Sequence, residues 1–132
     1  LSLHDALPIF KMITATKDIA RKHYCEHEGR EYFERLINYI TEGKICAMVL
    51  MGEKAIEVTR KINGDKDPVK AEIGSIRGKF AIDKTNNLVH ASDSSDSAER
   101  EISIWFPELM CKDIFGNSNN LFSQTEGPLV NV

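Results

Sequence analysis

The sequence predicts an α/β sandwich, and three features carry that reading. Helical and strand patterns alternate along the chain, as they do when helices cover a sheet. Residues 45–50, Ile-Cys-Ala-Met-Val-Leu, are almost wholly apolar. A run of that length reads as a central strand buried on both faces. Ala98, Glu101, Ile102 and Trp105 recur at i, i+3, i+4 and i+7, so one helix face gathers them.

The elements follow in order. Residues 10–13 read as the end of a strand. Thr14 to Thr16 offer an N-cap, and residues 17–27 form a helix with Ile19, Ala20, His23 and Tyr24 on one side. After Gly29, residues 31–41 form a second helix with the stripe Phe33, Leu36, Ile37 and Ile40, closed by Gly43. The strand 45–50 leads to a third helix over 54–62. Residues 63–75 hold two glycines, a proline and several charges, so they read as a long loop, and such loops often carry function. A short turn spans 76–80 and a strand 88–90. Ser92 to Ser97 supply turn and cap residues, and the last helix runs to Phe106, where Pro107 stops it. The tail 107–132, with its Gly116-Asn117-Ser118-Asn119-Asn120 run, is expected to be loosely ordered. The domain is therefore placed at 10–106.

Composition narrows the function classes. The chain has 132 residues, enough for one domain with a modest core. It is 42% hydrophobic and 28% charged, which suits a globular chain. A net charge of −3 argues against nucleic-acid binding through overall charge, so an anionic ligand would need local Arg and Lys clusters. Three cysteines, Cys25, Cys46 and Cys111, form no C-x-x-C pair. That argues against a disulfide scaffold or zinc site and for a reducing compartment. No apolar run reaches the ~20 residues of a membrane span.

One stretch stands out chemically. His90 sits where a strand passes towards a helix N-terminus, a natural place to meet phosphate. Glu101 lies among apolar residues of the following helix, where a carboxylate needs a partner. An imidazole N–H is a suitable one, and it would leave the other ring nitrogen free as a nucleophile. From spacing alone, His90 as a satisfied buried histidine and Glu101 as an edge residue of the stripe account for the pattern as well.

The run Asn-Leu-Val-His-Ala-Ser-Asp-Ser over 87–94, followed by Ser-Ala-Glu-Arg-Glu-Ile-Ser-Ile-Trp-Phe over 97–106, resembles the signature of nucleoside diphosphate kinases. Colinear similarity extends from about Lys11 to Phe106. The resemblance implies a ferredoxin-like βαββαβ sandwich with an antiparallel sheet, assembled into hexamers or tetramers. Relative to that pattern, the first strand and first helix are missing. Residues 1–9, LSLHDALPI, look like one frame of a sequencing-adapter oligonucleotide. They are expected to be an assembly artefact, with an ordinary N-terminal tail as the alternative.

The resemblance also implies residue roles. His90 matches the phospho-accepting histidine, Glu101 the acid that orients its ring, Ser92 a serine bonded near that pair, and Tyr24 a tyrosine of the catalytic pocket. Arg60 and Arg77 match arginines on the phosphates, and Asn87 an asparagine near the ribose and the end of the phosphate chain. Gly74 and Gly78 flank Arg77, where they would let backbone approach a ligand. Tyr32 matches the aromatic on which the base stacks, with Leu36 beside it. Stacking alone would accept every base, since each presents a π face. Each residue has a plainer reading: surface charge for the arginines, helix packing for Tyr32 and Leu36, core for Tyr24, a turn for Ser92. Lys66 stands where the family usually has a phosphate-touching threonine, and could serve as a point charge or face solvent. The family's Lys-Pro-Asp segment does not occur here, and its usual C-terminal segment is not recognisable after Phe106.

The activity implied is transfer of a γ-phosphoryl group between nucleotides through phosphohistidine, with magnesium held by nucleotide and water rather than a protein cage. The partners implied are nucleoside triphosphates and diphosphates and further copies of the chain, with neither nucleic acid nor membrane. The compartment expected is the cytoplasm. The alternative is a non-catalytic nucleotide-binding or assembly subunit of the same fold. A regulatory phosphoserine cluster over 92–97 is a third reading, although N-cap duty already explains those residues.

Overall fold

The computed structural model describes residues 9–110 and 129–131. Strand β1 (Ile9–Ile13) leads to helix α1 (Lys17–His23), a 3-10 turn (Cys25–His27) and α2 (Phe33–Thr41). Then come β2 (Ile45–Leu50), α3 (Ala55–Asn63), α4 (Ile76–Phe80), α5 (Ser95–Trp105), a 3-10 turn (Pro107–Met110) and β3 (Leu129–Asn131). The strands form an antiparallel sheet in the order β1-β2-β3. Ile9 opposes Val49 and Ile13 opposes Ile45, while Met48 to Leu50 pair with Asn131 to Leu129.

Helix starts follow local chemistry. Thr16 caps α1 by accepting from the Ile19 N–H at 3.2 Å, and Ser94 caps α5 by accepting from the Ser97 N–H at 3.1 Å. Phe33, Ile37 and Ile40 of α2 meet Ala20 of α1, Ala47 and Val49 of β2, and Ile102, Trp105 and Phe106 at the end of α5. Burying each large side chain contributes about 1.5–3 kcal/mol, so this layer is the main cohesive contact.

Four expectations need correction. Strand β2 is central, but only Ala47 and Val49 are buried. Cys46, Met48 and Leu50 alternate with them and line the cleft described below, while Ile45 shares the core face, so the strand packs into the core on one face only. Residues 88–90 are not a strand. Leu88 has φ +72°, and a segment without a ladder partner stays irregular. Residues 76–80 are a short helix, capped by Ser75 through the Gly78 N–H. The first helix ends at His23 and continues only as a 3-10 turn. Within the tail, Pro107–Met110 and Leu129–Asn131 adopt regular structure, while the 116–120 run, Cys111 and residues 1–8 lie outside the described residues. No helix among those described is long and apolar enough to cross a membrane.

Candidate active site

The cleft beside β2 has a volume of about 1160 Å³. Of the residues singled out in the sequence, His90, Glu101, Tyr24, Tyr32, Leu36, Arg60, Lys66, Arg77 and Asn87 all line it. Ser92 lies just behind its wall, buried against Glu101.

The centre is a carboxylate with two donors. Glu101 reaches inward from the buried face of α5, which also carries Ala98, Ile102 and Trp105. Its Oε1 lies 3.2 Å from His90 Nε2, and its Oε2 accepts from the Ser92 hydroxyl. The Arg100 guanidinium stands 3.8 Å from Oε1. Burial pushes the Glu101 carboxyl upward. The His90 and Ser92 hydrogen bonds and the neighbouring imidazoles outweigh it and hold the carboxyl below its usual value. Glu101 therefore stays ionised and can only accept, so the hydrogen between it and His90 belongs to His90 Nε2. His90 Nδ1 is left with a lone pair and no hydrogen-bond partner among the described residues. The His90 side chain is 29% exposed, enough for a reactant to reach it.

Around this pair lie cations and aromatic rings. Arg60, on α3, donates to the Ala91 carbonyl at 3.1 Å. Arg77, on α4, donates to the Gly64 carbonyl at 2.8 Å and to that of Val89. Burial and then the Arg60 charge lower its pKa, so two guanidiniums share one region of the cleft and an anion there would relieve both. Tyr24 caps the end of α1, with its ring centroid 6.3 Å from that of His90. Burial, helped by Glu101, pushes its phenol up to about 12, so it remains a donor throughout the neutral range. Tyr32 precedes α2, and its hydroxyl lies 3.1 Å from His27 Nδ1. Leu36 is one turn further along the same helix. Asn87 holds the Lys84 carbonyl at 3.0 Å, and Lys66 is exposed at the rim.

His90 precedes the Ser94 cap of α5, and Ser94 accepts from one N–H of that helix end, that of Ser97. One site expectation changes. Gly78 owes its identity to packing rather than to ligand approach. A Cβ there would lie 2.0 Å from the Glu72 carbonyl oxygen, whereas one on Gly74 would meet nothing. Of the 92–97 serines, Ser94 caps α5 by accepting from the Ser97 N–H, whereas the Ser97 hydroxyl donates to Asp93 at 2.6 Å and that of Ser92 to Glu101.

The family model described as nucleoside diphosphate kinase matches residues 6–110. A nucleoside diphosphate kinase of Methanocaldococcus jannaschii is 51% identical over 98 residues, which are 74% of this chain and 70% of that protein. The chain belongs to the nucleoside diphosphate kinase family. The crystal structure of the Aquifex aeolicus nucleoside diphosphate kinase superposes with a TM-score of 0.73 at 37% identity, covering 79% of this chain and 76% of the other. The halophilic nucleoside diphosphate kinase of Halobacterium salinarum, in complex with CDP, gives 0.70 at 37% identity, covering 74% and 65%. The α+β architecture with its antiparallel sheet is thus that of the nucleoside diphosphate kinases.

One functional neighbour was not singled out in the sequence. His23 lies on the buried side of α1, 3% exposed, with its ring 4.5 Å from that of His90. Sequence showed it only as a stripe position, and a histidine in an apolar stripe carries no signal of its partner. One donor atom each from His23, His90 and Glu101 lies within 4.8 Å of the others, the one such metal-ligating group among the described residues. Two imidazoles and a carboxylate suit zinc or copper, whereas magnesium favours oxygen ligands and does not fit this set.

Proposed function

We propose that this chain transfers the γ-phosphoryl group of a nucleoside triphosphate to a nucleoside diphosphate, with His90 as the carrier. One observation supports the reading above the others. Glu101 engages His90 Nε2 and leaves Nδ1 unbonded at a cleft that also holds Arg60 and Arg77.

The chemistry follows from that geometry. The Nδ1 lone pair attacks the γ-phosphorus, an Nδ1–P bond forms, and the bond to the β-phosphate oxygen breaks. Positive charge that develops on the ring is met by Glu101 through the Nε2–H. In the return step the terminal oxygen of a diphosphate attacks the same phosphorus and Nδ1–P breaks. Arg60 and Arg77 would exchange carbonyl oxygens for phosphate oxygens, and the Tyr24 phenol and Lys66 could donate to the same group. Tyr32 and Leu36 would receive the base, and Asn87 the ribose side. The CDP complex of the Halobacterium salinarum relative supports a nucleotide as the occupant. Magnesium would travel on the nucleotide's own oxygens. The non-catalytic alternative is not favoured, because the His90–Glu101–Ser92 network is complete.

The test is exposure to γ-labelled triphosphate. The expected product is acid-labile, base-stable phosphate on His90 alone, absent from His90→Ala. Label retained in that variant would overturn the assignment.

A further inference from the structure

The deepest polar group near the reaction centre is one the mechanism above does not use. His23 Nδ1 lies 3.1 Å from Trp105 Nε1. An indole N–H can only donate, so His23 Nδ1 must be the acceptor. In the neutral ring the proton then belongs to Nε2. That atom is buried and has no hydrogen-bond partner. It cannot serve as a metal ligand while it carries the proton, so the His23–His90–Glu101 group is not a ready cation site.

The contact His23 does make is with the nucleophile. Its ring and that of His90 meet edge to face, with centroids 4.5 Å apart and planes at 77°. It also meets Trp105 and Tyr24 in the same way, at 5.6 and 4.6 Å. His90 needs such support. One bond to Glu101 fixes one ring nitrogen but not the ring plane, and that carboxylate is shared with Ser92 and faced by Arg100. A side chain held at one atom can swing, and a swing would present the wrong nitrogen to the phosphorus.

We propose that His23 is a positioning residue for the reaction: clamped by Trp105, its ring packs against His90 and keeps Nδ1, not Nε2, turned to the cleft. The proposal rests on His90 being the phosphoryl acceptor. The surroundings suit the task. His90 and Arg100 face the His23 ring with positive or potentially positive charge, His27 adds to them, and Glu101 opposes them. Burial together with these neighbours brings the His23 pKa down to about 3. A ring that stays neutral does not compete with His90 for Glu101.

Two substitutions separate this role from a structural one. His23→Asn keeps an acceptor for Trp105 and removes the ring. His23→Phe keeps a ring and removes the acceptor. The first readout is the ¹⁵N spectrum of the histidine rings, which needs no turnover. In the unaltered chain the neutral rings of His23 and His90 are both expected as Nε2–H tautomers. His23→Asn is expected to turn His90 into a tautomer mixture, and His23→Phe to leave it mostly Nε2–H.

The second readout uses phosphoramidate, a small donor that requires no nucleotide site. His90 nitrogen attacks its phosphorus, the donor's N–P bond breaks, and ammonia leaves. Phosphorus spectra then report which ring nitrogen holds the phosphate. Nδ1 alone is expected in the unaltered chain and in His23→Phe, with at least a tenfold rise in the Nε2 share in His23→Asn. An Nδ1–H tautomer at His23 in the unaltered chain, or His23→Asn as selective as the unaltered chain, would overturn the proposal. So would His23→Phe scrambling as far as His23→Asn. Phosphorylation by phosphoramidate but not by a triphosphate would instead count against the nucleotide reading and leave this inference standing. If His23→Asn does not fold, the unaltered chain's tautomers and the His23→Phe product still decide.

Discussion

Glu101 is 3% exposed, and burial alone would favour its neutral form. Its hydrogen bonds reverse that preference, and the ionised form in turn fixes the tautomer of His90. Glu101→Gln cannot accept from His90 and Ser92 in the same way. Phosphorylation of His90 is expected to slow by about ten- to a hundredfold, roughly 1.4–2.8 kcal/mol in barrier, with nucleotide affinity nearly intact. Single-turnover kinetics with separate binding measurements check this, and an unchanged rate would remove Glu101 from the mechanism. Tyr32, 39% exposed at the cleft, is free to stack. Tyr32→Ala is expected to weaken every nucleotide by a similar amount, on the order of 1–3 kcal/mol; a loss confined to one base would show edge recognition instead. His23 makes stability depend on pH. Its folded pKa, about 3, is below the ordinary 6.5, so below that pH the unfolded chain binds a proton the folded chain refuses. Stability is full above 6.5 and is lost as pH falls towards 3. Glu101, also lowered, adds its loss below its ordinary 4.5. Denaturant titrations between pH 6 and 5 should show a fall of up to about 1.4 kcal/mol per unit from His23, flattened in His23→Phe. Equal slopes in both proteins would contradict the buried neutral imidazole.

At the scale of elements, the short helix α4 delivers Arg77, and it depends on one crowded turn. Ser75 donates to the Glu72 carbonyl at 2.6 Å and accepts from the Gly78 N–H at 3.1 Å. Gly78 lies against the same carbonyl, where a Cβ would stand 2.0 Å from the oxygen. Backbone cannot step aside as a flexible side-chain end can. Gly78→Ala is expected to cost at least about 2 kcal/mol in unfolding free energy, within the range of overpacked sites, and to weaken triphosphate binding through displaced Arg77. Gly74→Ala, in open space, is the control. Equal stability of the two variants would show that the turn relaxes more easily than its geometry implies.

Over the whole molecule, the loop and short helix between α3 and the His90 segment expose several large apolar side chains. Val69 is 93% exposed, Ile73 88% and Ile82 83%. Exposed apolar residues clustered in one stretch of chain commonly mark contact with another protein surface. The homo-oligomer implied by the family resemblance would supply that surface from a second copy. Sedimentation is expected to give a mass above that of one 14.9 kDa chain, shifted towards the monomer by Ile73→Asp with Ile82→Asp. A monomer at micromolar concentration would count against assembly through this stretch. The sheet bears on the same question. Pairing with β1 and, over Met48 to Leu50, with β3 occupies both sides of the β2 backbone there, so that stretch offers no open edge to a second copy.

The sequence by itself determined what is local. The i, i+3, i+4 spacing from Ala98 to Trp105 placed Glu101 on the buried face of α5, and the Thr16 and Ser94 caps set helix starts, because such signals act within a turn or two of chain. The run from Asn87 to Phe106 carried the family, because reactive residue, orienting acid and cap are contiguous there. Tertiary structure decided what depends on distant neighbours. Residues 88–90 have strand-forming side chains but no ladder partner, and pairing is not written in the segment itself. The alternating burial of β2 arose from a cleft on one side and helices on the other. Which nitrogen of His90 is free followed from where α5 directs the Glu101 carboxylate. The protonation of His23 was decided by Trp105, 82 residues along the chain. A tautomer is set by the donor that reaches the ring, and only folding brings that donor there.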